Sequence, residues 1–199
     1  MKYTNHENKY TNQEKIYDRS KNKQGYYNIK HNMKNKFVIG IGSNIVSPEG
    51  FSPIKNCNNA INELSKFNIN IIQKSSWYLS EPIPKSSQPK FYNSVVLCYA
   101  NHGVDKVLKI IQFIEQKFGR IRIFKNMPRC IDIDIISFNK NVKNSLLLTL
   151  PHPRMHLRKF VLLPLLELDS NWLHPVLKKN IKFFLKKVKY QRIKKLKID

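Results

Sequence analysis

Any reading of the chemistry turns on Asp132 and Asp134. They sit in Ile131-Asp132-Ile133-Asp134-Ile135-Ile136, whose strict alternation is that of a strand with both carboxylates on one face and isoleucines on the other. Two such charges roughly 4 Å apart repel by roughly 4 kcal/mol at an effective dielectric of about 20, so something positive must sit there. With no cysteine cluster and few histidines nearby, hard oxygen donors point to Mg2+, which takes one or two carboxylates and completes its shell with phosphates and water. A solvated strand face with arginine partners is the other reading of the same pair. The loop just before the strand supplies cations, since Arg120, Arg122, Lys125 and Arg129 all fall between Gly119 and the strand. Guanidinium forks match phosphate oxygens two at a time, which suggests a polyphosphate substrate beside the carboxylates; a solvated basic loop that binds nothing is the alternative. No Gly-rich Walker sequence is present, so a P-loop enzyme is excluded. In Leu150-Pro151-His152-Pro153-Arg154, prolines on both sides of His152 set a rigid turn that can present the imidazole. Gln112 and Glu115, three apart on one helix face, can reach the same basic site.

These residues need elements to hold them. Phe37-Val38-Ile39-Gly40-Ile41 reads as a buried strand that ends in Gly42-Ser43-Asn44. A helix follows, with Ser52 as N-cap, Pro53 at its first position, and Ile54, Cys57, Ile61 and Leu64 at helical spacing. Residues 69–80 and 91–100 read as β-rich runs joined by a Pro-rich segment, Pro82 to Pro89. A second helix is expected from about Val104 to Phe118, with Val107, Leu108, Ile111 and Ile114 on one stripe and Gly119 as its cap. With the carboxylate strand the order is β-α-β-β-α-β, an α+β fold of the ferredoxin-like sandwich kind, with helices packed on one face of an antiparallel sheet.

Composition narrows the class. The formal charge is +23 over 199 residues, but it is concentrated at the ends: +6 in 1–36, +9 in 178–199 and +8 in the 37–177 core. A core of that size is ordinary for one domain, which excludes two fused full-size enzymes. Cys57, Cys98 and Cys130 are odd in number and dispersed, which argues against a disulfide framework or a zinc site and fits a reducing, cytoplasmic setting. The longest apolar run, Phe160 to Leu168, is too short for a membrane span and contains Pro164. Met1 to Tyr10 has no apolar signal core. Residues 1–36 lack hydrophobic periodicity and are expected to be a disordered basic Asn/Lys-rich extension, 37–177 the catalytic domain, and 178–199 a Lys-rich C-terminal helix or tail.

Set side by side, Gly42-Ser43-Asn44, Ser75-Ser76-Trp77-Tyr78 with Ser80-Glu81-Pro82, Gln88-Pro89-x-Phe91-x-Asn93, Gly119-Arg120-x-Arg122, Pro128-Arg129-x-Ile131-Asp132-Ile133-Asp134, Leu150-Pro151-His152-Pro153-Arg154 and Phe160-Val161-Leu162-x-Pro164-Leu165 resemble the 6-hydroxymethyl-7,8-dihydropterin pyrophosphokinases of folate biosynthesis, in unbroken order over about residues 37–175. The resemblance implies a ferredoxin-like monomer that moves the β,γ-pyrophosphoryl group of ATP to the hydroxymethyl of the pterin and releases AMP. It implies that Asp132 and Asp134 hold two Mg2+ ions and serve no structural pairing role, and that Arg120, Arg129 and Asp134 form the catalytic centre. Arg120, Arg122, Arg129 and Arg158 would clamp the triphosphate, helped by Gln112, Glu115, Thr149 and His152. Phe91 and Phe160 would sandwich the pterin, Asn93 would read its edge, and the backbone of Ser80, Glu81 and Ile83 would close the pocket. Two aromatic faces and one amide suit a flat polar heterocycle, and phosphoryl-type transfer asks for positioning and charge neutralisation more than covalent chemistry. The chain departs from the family pattern at Lys125-Asn126-Met127-Pro128-Arg129, which lacks a family tryptophan, and around Leu147, where the family has an arginine.

A reading of another class is a nucleic-acid-binding module without catalysis, motivated by the charge and the Lys-rich end. It accounts for the ends of the chain but not for a double-Asp strand, since carboxylates would repel a phosphate backbone. No specific nucleic acid and no membrane partner are therefore expected. Met33 stands just before the first strand, and nothing upstream has a packing period. A chain starting at Met33 is expected to keep the full melting temperature and activity; loss of several degrees in a thermal melt would show that residues 1–32 dock on the core.

Overall fold

The computed structural model describes residues 35–120 and 126–197. The expected extension thus lies outside the described residues except for Asn35 and Lys36, which open the first strand. The elements are β1 (Asn35–Ser43), α1 (Pro53–Leu64), β2 (Asn70–Lys74), β3 (Tyr78–Ser80), β4 (Phe91–Ala100), α2 (Val104–Lys117), β5 (Asp132–Phe138), β6 (Lys143–Asn144), β7 (Thr149–Leu150), α3 (Lys159–Leu168), α4 (Ile181–Lys187) and β8 (Ile193–Lys195). Short 3-10 turns at Ser65–Phe67 and Met155–Leu157 complete them. The main sheet runs β5-β1-β4-β3-β8, with β2 also on β4, and its pairings are antiparallel.

Strand alternation explains how one sheet serves two cores. On β1 and β4, Phe37, Ile39, Ile41, Val96, Cys98 and Ala100 point to one face, and α1 and α2 cover it with Cys57, Ala60, Ile61, Leu64, Val107, Ile110, Ile111 and Ile114. Each such fully buried aliphatic contributes about 1.5–3 kcal/mol relative to exposure. The alternate residues Val38, Val95 and Leu97, with Ile136, point to the other face, where α3 and α4 pack with Val161, Leu162, Leu165, Ile181 and Phe184. The antiparallel sandwich is the expected one, but helices cover both faces, not one. The continuous apolar run of Val95-Val96-Leu97-Cys98 in β4 is the local reason, because a strand buried on both faces carries no polar alternation.

Several local expectations hold. Pro53 opens α1 behind Ser52, although the Ser52 hydroxyl makes no capping bond. Gly119 follows α2 at φ +81°, and a Cβ there would come within 2.7 Å of the Pro48 ring, so both conformation and space ask for glycine. The 69–80 run is two strands: at Ser75 the hydroxyl accepts the Val95 N–H at 3.0 Å and interrupts the ladder between β2 and β3.

The stretch read as a Lys-rich helix or tail is built into the domain. Ile181, Phe184 and Val188 are buried in the second core, and β8 pairs with β3, Ile193 opposite Ser80. The lysines lie on the outer side of elements whose inner side is apolar. No helix among the described residues is long and apolar enough to cross a membrane.

Within this second core His174 is 4% exposed, and its Nδ1 accepts the N–H groups of Val176 and Leu177 at 3.3 and 3.1 Å. Burial, then the neighbouring His156, pushes its pKa down to about 4. The unfolded chain takes up a proton near pH 6.5 while the folded one resists until about pH 4, so folding stability is expected to fall as pH drops through that window. Thermal melts from pH 7 to 4 should show this decline, with a flatter slope for His174→Gln.

Candidate active site

One cavity brings together residues from most of the chain: Gly40 and Gly42 of β1, Ser80 to Pro84, Phe91 and Asn93 of β4, Arg120, Arg129, Asp132 and Asp134, and His152, Arg154, Arg158 and Phe160. Its floor follows from strand register. Asp132 and Asp134 of β5 lie across from Gly42 and Gly40 of β1, so the strand beside the carboxylates presents no side chains on that face. The space is tight as well as empty, since a Cβ on Gly42 would lie 3.1 Å from Asn93 Oδ1.

The two carboxylates have different surroundings. Asp132 accepts from Arg129 Nη1 at 2.8 Å and is also bonded by Arg120 Nη1. The expectation that the pair serves no structural pairing role is thus corrected for Asp132, which pairs with two guanidinium groups. Glu115 explains how Arg120 is held. It is buried, pairs with Arg120, and accepts the Ile133 N–H at 2.8 Å, so one carboxylate ties α2 to the arginine and to the strand between the two aspartates. Burial, then Asp134, pushes the Asp132 pKa up, against the pull of Arg120 and Arg129.

Asp134 is the more open of the two. His152 Nε2 and Arg158 Nη1 each stand 3.6 Å from its Oδ2. Burial, then Arg158 and Arg154, pushes the His152 pKa down to about 4, so the ring is neutral at pH 7. Its Nδ1 accepts the Arg154 N–H at 3.2 Å, which leaves the proton on Nε2, facing the cavity as a hydrogen-bond donor. A hard cation fits this donor set. Two carboxylates meet at one strand face, and no third acidic, His or Cys ligand completes a site among the described residues, so phosphate and water would fill the remaining positions.

At the other end the cavity turns aromatic. Arg129 lies over the Phe91 ring and Arg158 over the Phe160 ring, each with its guanidinium carbon 5.5 Å from the centroid. Asn93 is buried and lines the same cavity, its Nδ2 donating to Ser80 Oγ at 3.1 Å and to the Phe91 carbonyl at 3.0 Å. Arg129 Nε is buried without a partner among the described residues.

The sequence-derived residues divide clearly. Ser80, Glu81, Ile83, Phe91, Asn93, Arg120, Arg129, Asp132, Asp134, His152, Arg158 and Phe160 line the cavity. Gln112 is exposed on α2, Glu115 lies behind the arginine it holds, and Thr149 on β7 donates to Asn144 Oδ1 at 3.3 Å; none of these three lines it. Arg122 and Lys125 lie outside the described residues. Sequence reasoning missed the brace around Asn44. This buried amide accepts the Arg129 N–H at 2.7 Å and donates to Gln88 and to the Pro89 carbonyl, both at 3.2 Å, while Gln88 donates to the Asn126 carbonyl at 2.6 Å. The loops on the two sides of the cavity are thereby tied together. Asn in a Gly-Ser-Asn turn was the available signal, but nothing in the sequence shows that its partners lie 44 and 85 residues away. Arg154 and Gln88 also line the cavity without having been singled out for the site.

Comparison with known proteins identifies the family. The family model of 7,8-dihydro-6-hydroxymethylpterin-pyrophosphokinase (HPPK) matches residues 38–170. The chain is 37% identical over 140 residues to the 2-amino-4-hydroxy-6-hydroxymethyldihydropteridine pyrophosphokinase of Synechocystis sp., covering 69% of this chain and 68% of that protein. It is 37% identical over 133 residues to the enzyme of the same name from Helicobacter pylori, covering 66% and 79%. It is also 34% identical over 164 residues to the Folic acid synthesis protein fol1 of Pneumocystis carinii, of which it spans only 22%. Among solved structures, wild-type Plasmodium falciparum HPPK-DHPS aligns with TM-score 0.56 at 17% identity, covering 77% of this chain and 44% of that one, a likeness of fold. With the paired aspartates, the arginines and the aromatic end in one cavity, and the family match running through all of them, the chain belongs to the 7,8-dihydro-6-hydroxymethylpterin-pyrophosphokinase family.

Proposed function

We propose that this chain transfers the β,γ-pyrophosphoryl group of ATP to the hydroxymethyl oxygen of 6-hydroxymethyl-7,8-dihydropterin in folate biosynthesis. The oxygen–Pβ bond forms as the hydroxyl gives up its proton to water, the bond from Pβ to the α,β-bridging oxygen breaks, and AMP leaves with that oxygen. The observation that carries this reading is the continuity of the cavity, which is cationic around two carboxylates at one end and aromatic with an amide at the other. Neither end alone would distinguish a phosphate site from a heterocycle site; their junction supports a reaction between the two.

In this reading Arg120, Arg129 and Arg158 hold the triphosphate, Arg122 joins them, and the neutral His152 donates from Nε2 to a phosphate oxygen. The buried Arg129 Nε, without a partner among the described residues, supports a role close to the transferring group. Phe91 and Phe160 stack the pterin, with Asn93 and the backbone of Ser80, Glu81 and Ile83 at its edge. Asp132 and Asp134 would hold Mg2+, two ions in this proposal, which when bound neutralises phosphate charge and aligns the attacking oxygen. Gln112 and Thr149 are kept as contacts to the outer part of ATP, and Glu115 as the residue that sets Arg120. Action as a monomer is part of this proposal, and three buried free thiols support a reducing cytoplasm. The nucleic-acid reading is not favoured, since it leaves the carboxylate pair without a purpose.

The decisive assay follows AMP by chromatography: release from ATP should require both Mg2+ and the pterin, and a chain that releases none under those conditions does not catalyse this reaction. Asp132→Asn should lower turnover by at least roughly 100-fold, the scale of losing one transition-state electrostatic contact. Its stability should change by less than the roughly 3–5 kcal/mol typical of a broken buried pair, because Arg120 keeps Glu115. Denaturant melts beside the kinetics separate the two; a large stability loss with near-normal turnover would assign Asp132 to structure alone.

A further inference from the structure

The chain beyond the family match, from residue 171 onward, contributes none of the residues placed in the proposed site, yet it braces one wall of the cavity. Gln191 stands just after α4, its N–H bonded to the Val188 carbonyl at 3.1 Å, and α4 is anchored by buried Ile181 and Phe184. From there its side chain reaches the turn that carries Arg158. Oε1 accepts the Lys159 N–H at 2.8 Å and Nε2 donates to the Leu157 carbonyl at 2.8 Å. Lys159 answers through Nζ, which donates to the Gln191 carbonyl at 3.0 Å and the Lys189 carbonyl at 3.2 Å.

The two side-chain bonds fall on the residues immediately before and after Arg158. They fix the peptide groups on both sides of its Cα, and with them the direction in which its side chain leaves the backbone. Arg158 is extended (φ −121°, ψ 103°) between a 3-10 turn and α3; its own N–H bonds to the Met155 carbonyl at 3.2 Å and its carbonyl accepts the Val161 and Leu162 N–H groups at 3.0 Å, so the Gln191 bonds hold the same two peptide groups from their opposite ends. The Lys159 N–H belongs to the first turn of α3, a group the helix itself leaves without a partner. From this backbone Arg158 reaches within 3.6 Å of Asp134 and lies over Phe160, at the junction of the two halves of the cavity.

We infer that Gln191 is a positioning residue which, through the Leu157–Lys159 turn, holds Arg158 in the proposed site; this rests on the function proposed above. Both backbone groups are near the surface, where water can replace the amide, so the role is one of orientation more than of stability. Gln191→Met keeps length and stem but removes both bonds. A misplacement on the order of 1 Å can cost up to about 100-fold in rate, so a loss of about 10-fold in kcat/KM is expected, with the melting temperature lowered by only a few degrees.

Three readouts test the inference: amide hydrogen exchange at Lys159, calorimetric binding of ATP, and turnover. Each is measured for Gln191→Met, Arg158→Ala and the double variant. The expected result is faster exchange at Lys159 in Gln191→Met, and losses of ATP affinity and turnover that largely vanish when Arg158 is already alanine. Equal losses in both backgrounds, unchanged exchange, or faster exchange with unaltered affinity and turnover would each overturn it. If the native chain binds ATP but releases no AMP with the pterin, the proposed reaction falls, while exchange and the binding cycle still decide the role of Gln191.

Discussion

Two like charges on one strand face set the terms for everything around them. Asp132 and Asp134 project from β5 with the same side up, and their repulsion in a partly buried place requires positive charge from elsewhere. The fold meets that requirement from three directions: Arg120 from the end of α2, Arg129 from the approach to β5, and Arg158 from the turn before α3. Each arginine is in turn fixed by a neighbour that does not itself carry the chemistry. Glu115 holds Arg120, Asn44 holds the backbone of Arg129, and Gln191 brackets Arg158. Three guanidinium groups from three separate elements thus converge on the two carboxylates.

The same constraint explains the shape of the sheet. A carboxylate pair flanked by bulky side chains on the next strand would have no room for a substrate, and β1 offers Gly40 and Gly42 at those positions. The two glycines weaken a strand interior, yet β1 lies between β4 and β5 with its other face packed by Phe37, Ile39 and Ile41. Alternation thus divides the strand, with one face for core and the other for the cavity. The helices on both faces follow, since α3 covers the part of the second face that the cavity leaves and presents Phe160 at its rim.

The family match stops at residue 170, but the domain does not. Ile181, Phe184 and Val188 finish the second core, and β8 covers the outer edge of β3, whose last residue Ser80 touches Asn93. With β4 on one edge and β8 on the other, this three-residue strand is paired on both sides, and the C-terminal segment adds to the stability of the stretch that leads into the aromatic end of the cavity. The lysine-rich composition of this stretch hides its role, because the buried residues recur only every three or four positions between charged ones.

Much of the site was legible in the sequence because it depends on local period and residue type. Alternation put the two aspartates on one face, the arginines of the preceding loop put cations beside them, and the ordered motifs identified the family. The helical stripe of α2 and the cap at Gly119 were legible for the same reason. What the sequence could not determine is which polar residue answers which at long range. Glu115 reads as an exposed helical carboxylate able to touch a nucleotide, and only packing α2 against β5 turns it inward onto Arg120 and the Ile133 N–H. Helices on both faces could not be read from the element order, since that order says nothing about where the chain after β5 returns. The C-terminal lysines likewise look like a solvated tail until β8 pairs with β3. Period and chemistry belong to the neighbours in the chain, whereas pairing belongs to neighbours in space, and these are chosen by the burial of the whole apolar surface at once.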